Sequence, residues 1–192
     1  MSRGFTRMAF GRRCSETIDV ARLAKRTRDG RTQLKLRADE ATVIEAFLRD
    51  LADTLANDEL ESETRARLFP RAYLDPTEET AEQVWQSVVH DDLLTGRVAA
   101  LRAVTRAIAE AEAVKGEIVI ELDAERETEW MMAINDARLV VGTALDVSDD
   151  RDLDIAPDDP RYALVGLYYW FSYLQEDLVE VLLDALPEEG TD

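Results

Sequence analysis

The sequence predicts a mainly α (α+β) fold, a helical bundle of about six helices that carries a small three-stranded sheet. Apolar residues recur every three or four positions over most of the chain, which is the period of amphipathic helices. A turn signal at Asp29-Gly30 lies inside the segment 20–37 and predicts a tight two-residue hairpin. Strict alternation over 117–122 predicts the third strand.

Three helices are predicted in the first half of the chain. Residues 38–56 carry one apolar stripe, formed by Val43, Ile44, Phe47, Leu48, Leu51 and Leu55. A short helix over 59–69 stops at Pro70. The run Asp75-Pro76-Thr77-Glu78 then predicts a helix start, because Asp caps it, Pro takes the first helical position and Glu follows the cap by three.

The helix that begins at Pro76 carries Ala81, Val84, Trp85 and Val88 on one face. We expect the chain to break or kink near His90-Asp91-Asp92 and to continue as a second helix to about residue 112. Lys115-Gly116 is predicted to stop that helix, with the glycine in the left-handed region.

The last predicted helices cover 124–145, capped by Asp123, and 161–186, with an Asp- and Pro-rich loop between them. We expect a basic N-terminal extension over 1–19, a single helical domain with a small sheet over 20–186, and an acidic tail over 187–192. The run 162–174 is too short to span a bilayer, which predicts no membrane partner. The chain has one cysteine and one histidine, which are too few for the common zinc sites. A single cysteine cannot form an internal disulfide, which favours a reducing, cytoplasmic location. No cofactor is predicted.

The net charge of −18 is distributed unevenly. Residues 1–37 hold 11 Lys/Arg and three acids, a balance of +8, whereas the other 155 residues hold 12 basic and 38 acidic side chains, a balance of −26. One interpretation is a solvated acidic surface that keeps the protein soluble. The basic segment could instead contact an anionic partner or fold back on the acidic body.

Two groups are candidate functional residues. Asn135, Arg138 and Gly142 share one stripe of the 124–145 helix, and a guanidinium buried there needs a carboxylate partner such as Glu176, Asp177 or Asp136. This group is either a polar lock between two helices or a small-anion site. Nearly contiguous aromatics on the last helix predict a candidate homodimer interface, with Tyr168, Tyr169, Trp170 and Tyr173 as its residues.

Other candidates are weaker. The cluster of aspartates at 146–154 lacks the Gly and Glu of a calcium loop, so no metal site is predicted. His90 lies beside Asp91, but no nucleophile is placed to use it, and Cys14 is expected to be an inert thiol, so no catalytic residue is predicted.

Three segments of the chain resemble an uncharacterised family of actinobacterial proteins, a domain of unknown function. They are the run from Arg67 to Tyr73, the run from Trp130 to Gly142 with its Asn-Asp-x-Arg-Leu-x-x-Gly pattern, and the run from Tyr169 to Glu176. The resemblance covers about residues 20–186 and implies an actinobacterial cytoplasmic protein without implying an activity.

Three hypotheses for the function remain open. The first is a non-catalytic interaction or regulatory protein, expected to be a homodimer with a possible further protein partner. The second is a transcription regulator that uses the basic hairpin and N-terminal arm, with helices 76–90 and 92–112 imitating a helix-turn-helix; the charge of −18 makes nucleic-acid binding unfavourable. The third is an enzyme or small-anion binder around Asn135 and Arg138.

Overall fold

The computed structural model describes residues 22–147 and 155–184. Within them the fold is α+β, as predicted, with five α-helices where about six were expected. The strands are β1 (Ala24–Arg26), β2 (Thr32–Arg37) and β3 (Glu117–Leu122). The helices are α1 (Ala38–Ala56), α2 (Ser62–Leu68), α3 (Glu79–Glu110), α4 (Ala124–Ala144) and α5 (Tyr162–Leu183), and a 3-10 turn (Pro76–Glu78) precedes α3.

The sheet is antiparallel with the order β1-β2-β3, so the predicted hairpin and third strand are confirmed. In the register of β2 and β3, Leu34 is opposite Ile120 and Leu36 is opposite Ile118. All four side chains are buried, and the intervening Lys35 is exposed. Alternation therefore gives the sheet one face on the core and one toward solvent.

The hairpin loop is wider than a two-residue turn. The Gly30 N–H donates to the Thr27 carbonyl at 3.1 Å, and the Thr27 N–H donates to the Arg31 carbonyl at 2.8 Å. Gly30 has a φ of +82°, whereas Asp29 is not in the left-handed region. This pattern is a type I turn followed by a left-handed glycine, and it places the bulge at Gly30.

The core lies where α1, α3, α4 and α5 pack together over the buried face of the sheet. Trp130 and Phe171 are the largest fully buried side chains. Local capping agrees with the sequence at two helix starts, since Asp75 accepts from the Thr77 N–H and Asp123 accepts from the Arg126 N–H.

Helix α3 is continuous over 32 residues, so the expected break at His90-Asp91-Asp92 is wrong. No proline interrupts this segment, and the ring of His90 packs against that of Phe69 at 4.7 Å between centroids. Continuous i to i−4 hydrogen bonding therefore outweighs the capping tendency of the aspartates. The two helices of a helix-turn-helix are accordingly one helix here.

The turn before β3 differs from the expected helix stop. Helix α3 ends at Glu110, and Lys115 and Gly116 both have positive φ, at 54° and 81°. Val114 and Glu117 exchange two backbone hydrogen bonds around them. Lys115-Gly116 is thus a two-residue turn that directs the chain into β3 rather than the cap of α3.

The two ends of the domain meet at β1 and α5. The Leu23 N–H donates to Oδ2 of the buried Asp177 at 2.7 Å, and the Arg22 guanidinium pairs with Glu180. This contact places the first described residues against the last helix. Among the described residues, no helix is both long and apolar enough to cross a membrane.

Candidate functional site

The first half of α3 turns its apolar face to solvent. Val84, Trp85 and Val88 have 59%, 41% and 67% of their surface exposed, and we call these three residues the α3 stripe. The opposite side of the same turns is polar, with Glu82 buried and His90 half-buried. A helix usually buries its apolar face, so the orientation of this segment is the reverse of the usual one.

Glu82 fixes this orientation. Its Oε2 accepts hydrogen bonds from the backbone N–H groups of Ala72 and Tyr73 at 3.0 and 2.9 Å. Its Oε1 accepts from the Gln86 side chain at 2.7 Å. The bond from Gln86, followed by the one from the Tyr73 backbone, holds the pKa of Glu82 below its ordinary value. The loop that follows α2 is therefore anchored to the polar side of α3.

The surroundings of the α3 stripe are acidic. Residues 75–96 contain six acids and no lysine or arginine. Arg71, just before this segment, already forms an ion pair with Glu79 at 2.6 Å. Asp91 and Asp92 are both exposed, one turn beyond Val88. The apolar surface therefore lies between acidic side chains.

C-terminal to the stripe, α3 is joined to α4 by a buried ion pair between Arg97 and Asp136. The other amino group of Arg97 donates to the Leu68 carbonyl at 2.8 Å, and its guanidinium lies 5.3 Å from the centre of the Phe69 ring. The pair thus connects α3, α4 and the end of α2. One guanidinium stabilises three segments that are far apart in sequence.

The pair is incompletely satisfied. Asp136 is fully buried, and among the described residues its Oδ2 and the Nε of Arg97 have no hydrogen-bond partner. Burial raises the pKa of the Asp136 carboxyl, and this outweighs the lowering by the Arg97 hydrogen bond and charge. The geometry is that of a structural lock with a large desolvation cost.

The predicted polar group lies next to this lock. Asn135 and Arg138 are half-buried, and Glu176 is exposed. The Gln175 amide donates to Asn135 Oδ1 at 3.3 Å, which joins α4 to α5. Within the described residues Arg138 has no ion pair, and Asp136, one of its expected partners, pairs with Arg97. The expectation that Asp136 is a partner of Arg138 is therefore wrong.

Arg97 was missed although the sequence carried the same signal as for Arg138. It lies between Leu94 and Val98, two residues of the apolar pattern of this helix, so a buried guanidinium could have been expected there. Its carboxylate partner lies 39 positions away, and no local spacing indicates that distance. The α3 stripe itself was visible as an apolar face, but its exposure was not.

The aromatic residues of α5 differ in exposure. Trp170 is buried, with 8% of its surface exposed, and belongs to the core. Tyr168, Tyr169 and Tyr173 are half-buried, and the rings of Tyr169 and Tyr173 stack at 6.2 Å between centroids. Tyr168 lies against Gly142, where a Cβ would be 3.3 Å from its ring. Three of the four predicted interface residues therefore keep some accessible surface.

The basic hairpin is largely paired with the acidic body. Ion pairs join Arg26 to Glu127, Arg31 to both Asp29 and Glu121, Lys35 to Glu117 and Arg37 to Asp39. Thr32 and Arg26 also share the buried Glu127 through hydrogen bonds. Most of the basic side chains of residues 22–37 thus form ion pairs within the molecule, although those of Arg31, Lys35 and Arg37 remain more than half exposed.

Other candidates have little support in the described residues. Cys14 and most of the aspartate cluster, Asp149 to Asp154, lie outside them. In the ranges that are described, no group of three His, Cys, Asp or Glu side chains could hold a metal ion. Two shallow grooves, one beside Trp170 and one beside Phe47, contain neither Asn135 nor Arg138.

Comparison with known proteins gives one match. The model of DUF2017, a domain of unknown function, matches residues 21–182. Neither the curated proteins nor the solved structures contain a match to the chain.

Proposed function

The chain belongs to the DUF2017 family, a domain of unknown function, and from that premise we propose that it is a non-catalytic protein-interaction domain. Its binding surface is the α3 stripe. The observation that carries this proposal is the inverted first half of α3, where Glu82 is buried while Trp85 and Val88 are exposed. Exposed aromatic and branched side chains in one stripe are typical of interface anchors.

The energetics support this role. Fully burying a side chain such as Val or Trp yields about 1.5–3 kcal/mol. The isolated domain gains only part of this free energy at the three stripe residues, because Val84, Trp85 and Val88 are 59%, 41% and 67% exposed. Burial of these side chains by a partner would supply the rest. Glu82 prevents the helix from rotating the stripe inward, because rotation would leave the Ala72 and Tyr73 N–H groups without their acceptor.

The alternatives have less support. A transcription regulator would need free positive charge, whereas the hairpin arginines at 26, 31 and 37 are paired with acids. A small-anion site at Arg138 would need a recess, and Arg138 lines neither the groove beside Trp170 nor the groove beside Phe47. Resemblance to actinobacterial proteins and a single cysteine support a cytoplasmic location.

A photo-crosslinking amino acid at position 88, introduced in cells, tests the proposal. We expect a discrete crosslinked adduct that disappears when Val84→Asp is added. Val114 is a matched control, because it is 62% exposed and lies away from the stripe. Crosslinking of equal strength at positions 88 and 114, or none at position 88, would contradict the proposed surface.

A homodimer through α5 is the second candidate, supported by the half-buried Tyr168, Tyr169 and Tyr173. Light scattering at micromolar concentration tests it directly. A mass near twice 21.7 kDa supports the dimer, and a mass of 21.7 kDa refutes it. In a dimer of this kind, Tyr173→Ala should lower the mass, whereas Val88→Asp should leave it unchanged.

A further inference from the structure

We infer that the partner of the α3 stripe is an amphipathic helix whose polar flanks carry lysine or arginine. This inference rests on the proposed function and names the chemistry of the partner. Its basis is the juxtaposition of an exposed apolar stripe with acidic residues at both ends, Glu78 and Glu79 before it and Asp91 and Asp92 after it.

Charge decides between classes of partner. The segment 75–96 has six acids and no basic residue. Glu79 is paired with Arg71 and Glu82 is buried, so the exposed Glu78, Asp91 and Asp92 are the charges that an acidic or neutral partner would leave without compensation. Lysine and arginine cover apolar surface with their stems and reach outward with their charged ends. A basic helix can therefore bury Trp85 and still pair with Asp91 and Asp92.

A second copy of the chain fits this surface poorly. Two-fold related copies use the same patch, and an antiparallel pair centred on Trp85 would bring Glu79 of one copy near Asp91 and Asp92 of the other. A parallel pair would place each acid beside its equivalent. Both arrangements bring like charges together across a segment, 75–96, that contains no lysine or arginine.

The shape of the stripe favours a helix over an extended peptide. From Val84 to Val88 it runs for about one helical turn, about 6 Å. Its backbone polar groups are used within α3, so no sheet edge is offered to an added strand. Apolar residues at i, i+3, i+4 and i+7 of a partner helix can interdigitate with Val84, Trp85 and Val88. An anionic membrane would be repelled by the acidic flanks.

Two synthetic helical peptides of about 18 residues, identical in their leucine stripe, test the inference. One carries lysine at all flanking positions and the other glutamate. Binding is followed by the emission of Trp85, which is 41% exposed while Trp130 and Trp170 are 1% and 8% exposed. We expect the lysine peptide to bind the full chain at least about tenfold more tightly than the glutamate peptide.

A third peptide, with the lysine composition and a central proline, should bind weakly because its helix is broken.

Matched variants locate the binding. Val88→Asp should weaken the lysine peptide by about tenfold or more, and Val114→Asp should change it by less than about twofold. Asp91→Asn with Asp92→Asn should weaken binding and reduce its dependence on salt. Glu110→Gln with Glu112→Gln, which changes two exposed acids at and just after the C-terminal end of α3, should not. Circular dichroism checks that each variant keeps its helices.

The outcomes separate this inference from the proposed function. Equal binding of the lysine and glutamate peptides, or an equal effect of Val114→Asp, overturns the basic helix. Self-association of the unaltered chain that Val88→Asp abolishes identifies a second copy as the occupant, and the interaction role stands. Absence of peptide binding, of self-association and of crosslinking at position 88 overturns both.

Discussion

Removal of the carboxylate from the Arg97–Asp136 pair, by Asp136→Ala, should destabilise the domain more than any change at Arg138. Asp136 is fully buried, and the Arg97 side chain is 17% exposed. Without Asp136 the guanidinium keeps the Leu68 carbonyl as its hydrogen-bond acceptor in a site with little water. Loss of one partner from a buried pair costs about 3–5 kcal/mol.

The same geometry predicts that removing both charges is far less harmful. Arg97 Nε and Asp136 Oδ2 are already buried without hydrogen bonds among the described residues, so the pair recovers only part of its desolvation cost. Arg97→Met with Asp136→Leu should therefore lie within about 1 kcal/mol of the unaltered protein, or above it. Arg138→Ala should cost about 1 kcal/mol or less, because Arg138 is half-buried and has no ion pair in the described part of the chain.

Urea denaturation followed by circular dichroism measures these differences. In thermal unfolding of a domain of this size, each kcal/mol of stability lost in Asp136→Ala corresponds to a fall in Tm of about 2–4 °C. The reasoning is refuted if Asp136→Ala costs less than about 1 kcal/mol. It is equally refuted if the double variant loses as much stability as the sum of its single variants, since a lock of this kind requires strong coupling.

Three further predictions follow from other contacts. Glu82→Gln should destabilise the protein at neutral pH and expose the 70–75 loop to trypsin at Arg71. Because the pKa of Glu82 is lowered in the folded state, the difference in urea midpoint between the variant and the unaltered protein should persist above pH 4.5. It should vanish as the pH falls through the folded pKa. Trp85→Phe should remove most of the tryptophan emission that iodide can quench, because Trp130 and Trp170 are buried, and unchanged quenching would contradict the exposed stripe. Gly142→Ala should be nearly neutral alone, since its helix gain of about 1 kcal/mol is offset by the close approach to Tyr168, and it should stabilise a Tyr168→Ala background by about that amount in thermal unfolding.

Elements whose determinants are local could be predicted from sequence. Strand β3 follows from alternation, and the starts near Asp75 and Asp123 follow from capping, because each needs only a few neighbouring residues. The continuity of α3 could not be predicted in this way, because it depends on a contact with a distant segment. The aspartates at 91 and 92 carry a local capping signal, whereas the packing of His90 on Phe69 comes from a different segment.

The candidate surface could be predicted only in part. An apolar face at Val84, Trp85 and Val88 is visible in the sequence, but its direction depends on where the partners of Glu82 lie, and those are backbone groups of another loop. Similarly, Arg138 is two positions from Asp136 on the same helix and does not face it, whereas the packing of α3 on α4 brings Arg97 to Asp136. Long-range geometry of this kind leaves no periodic trace in a single sequence.

The contact of Leu23 and Arg22 with α5 has a consequence for synthesis of the chain. These bonds connect positions 154 and 158 residues apart, so β1 cannot complete its contacts until the last helix has left the ribosome. β1 can pair with β2 in the local hairpin earlier, but its attachment to α5 closes a long loop and comes late in folding. Loss of α5 through a premature stop would therefore release the start of the domain as well as its end.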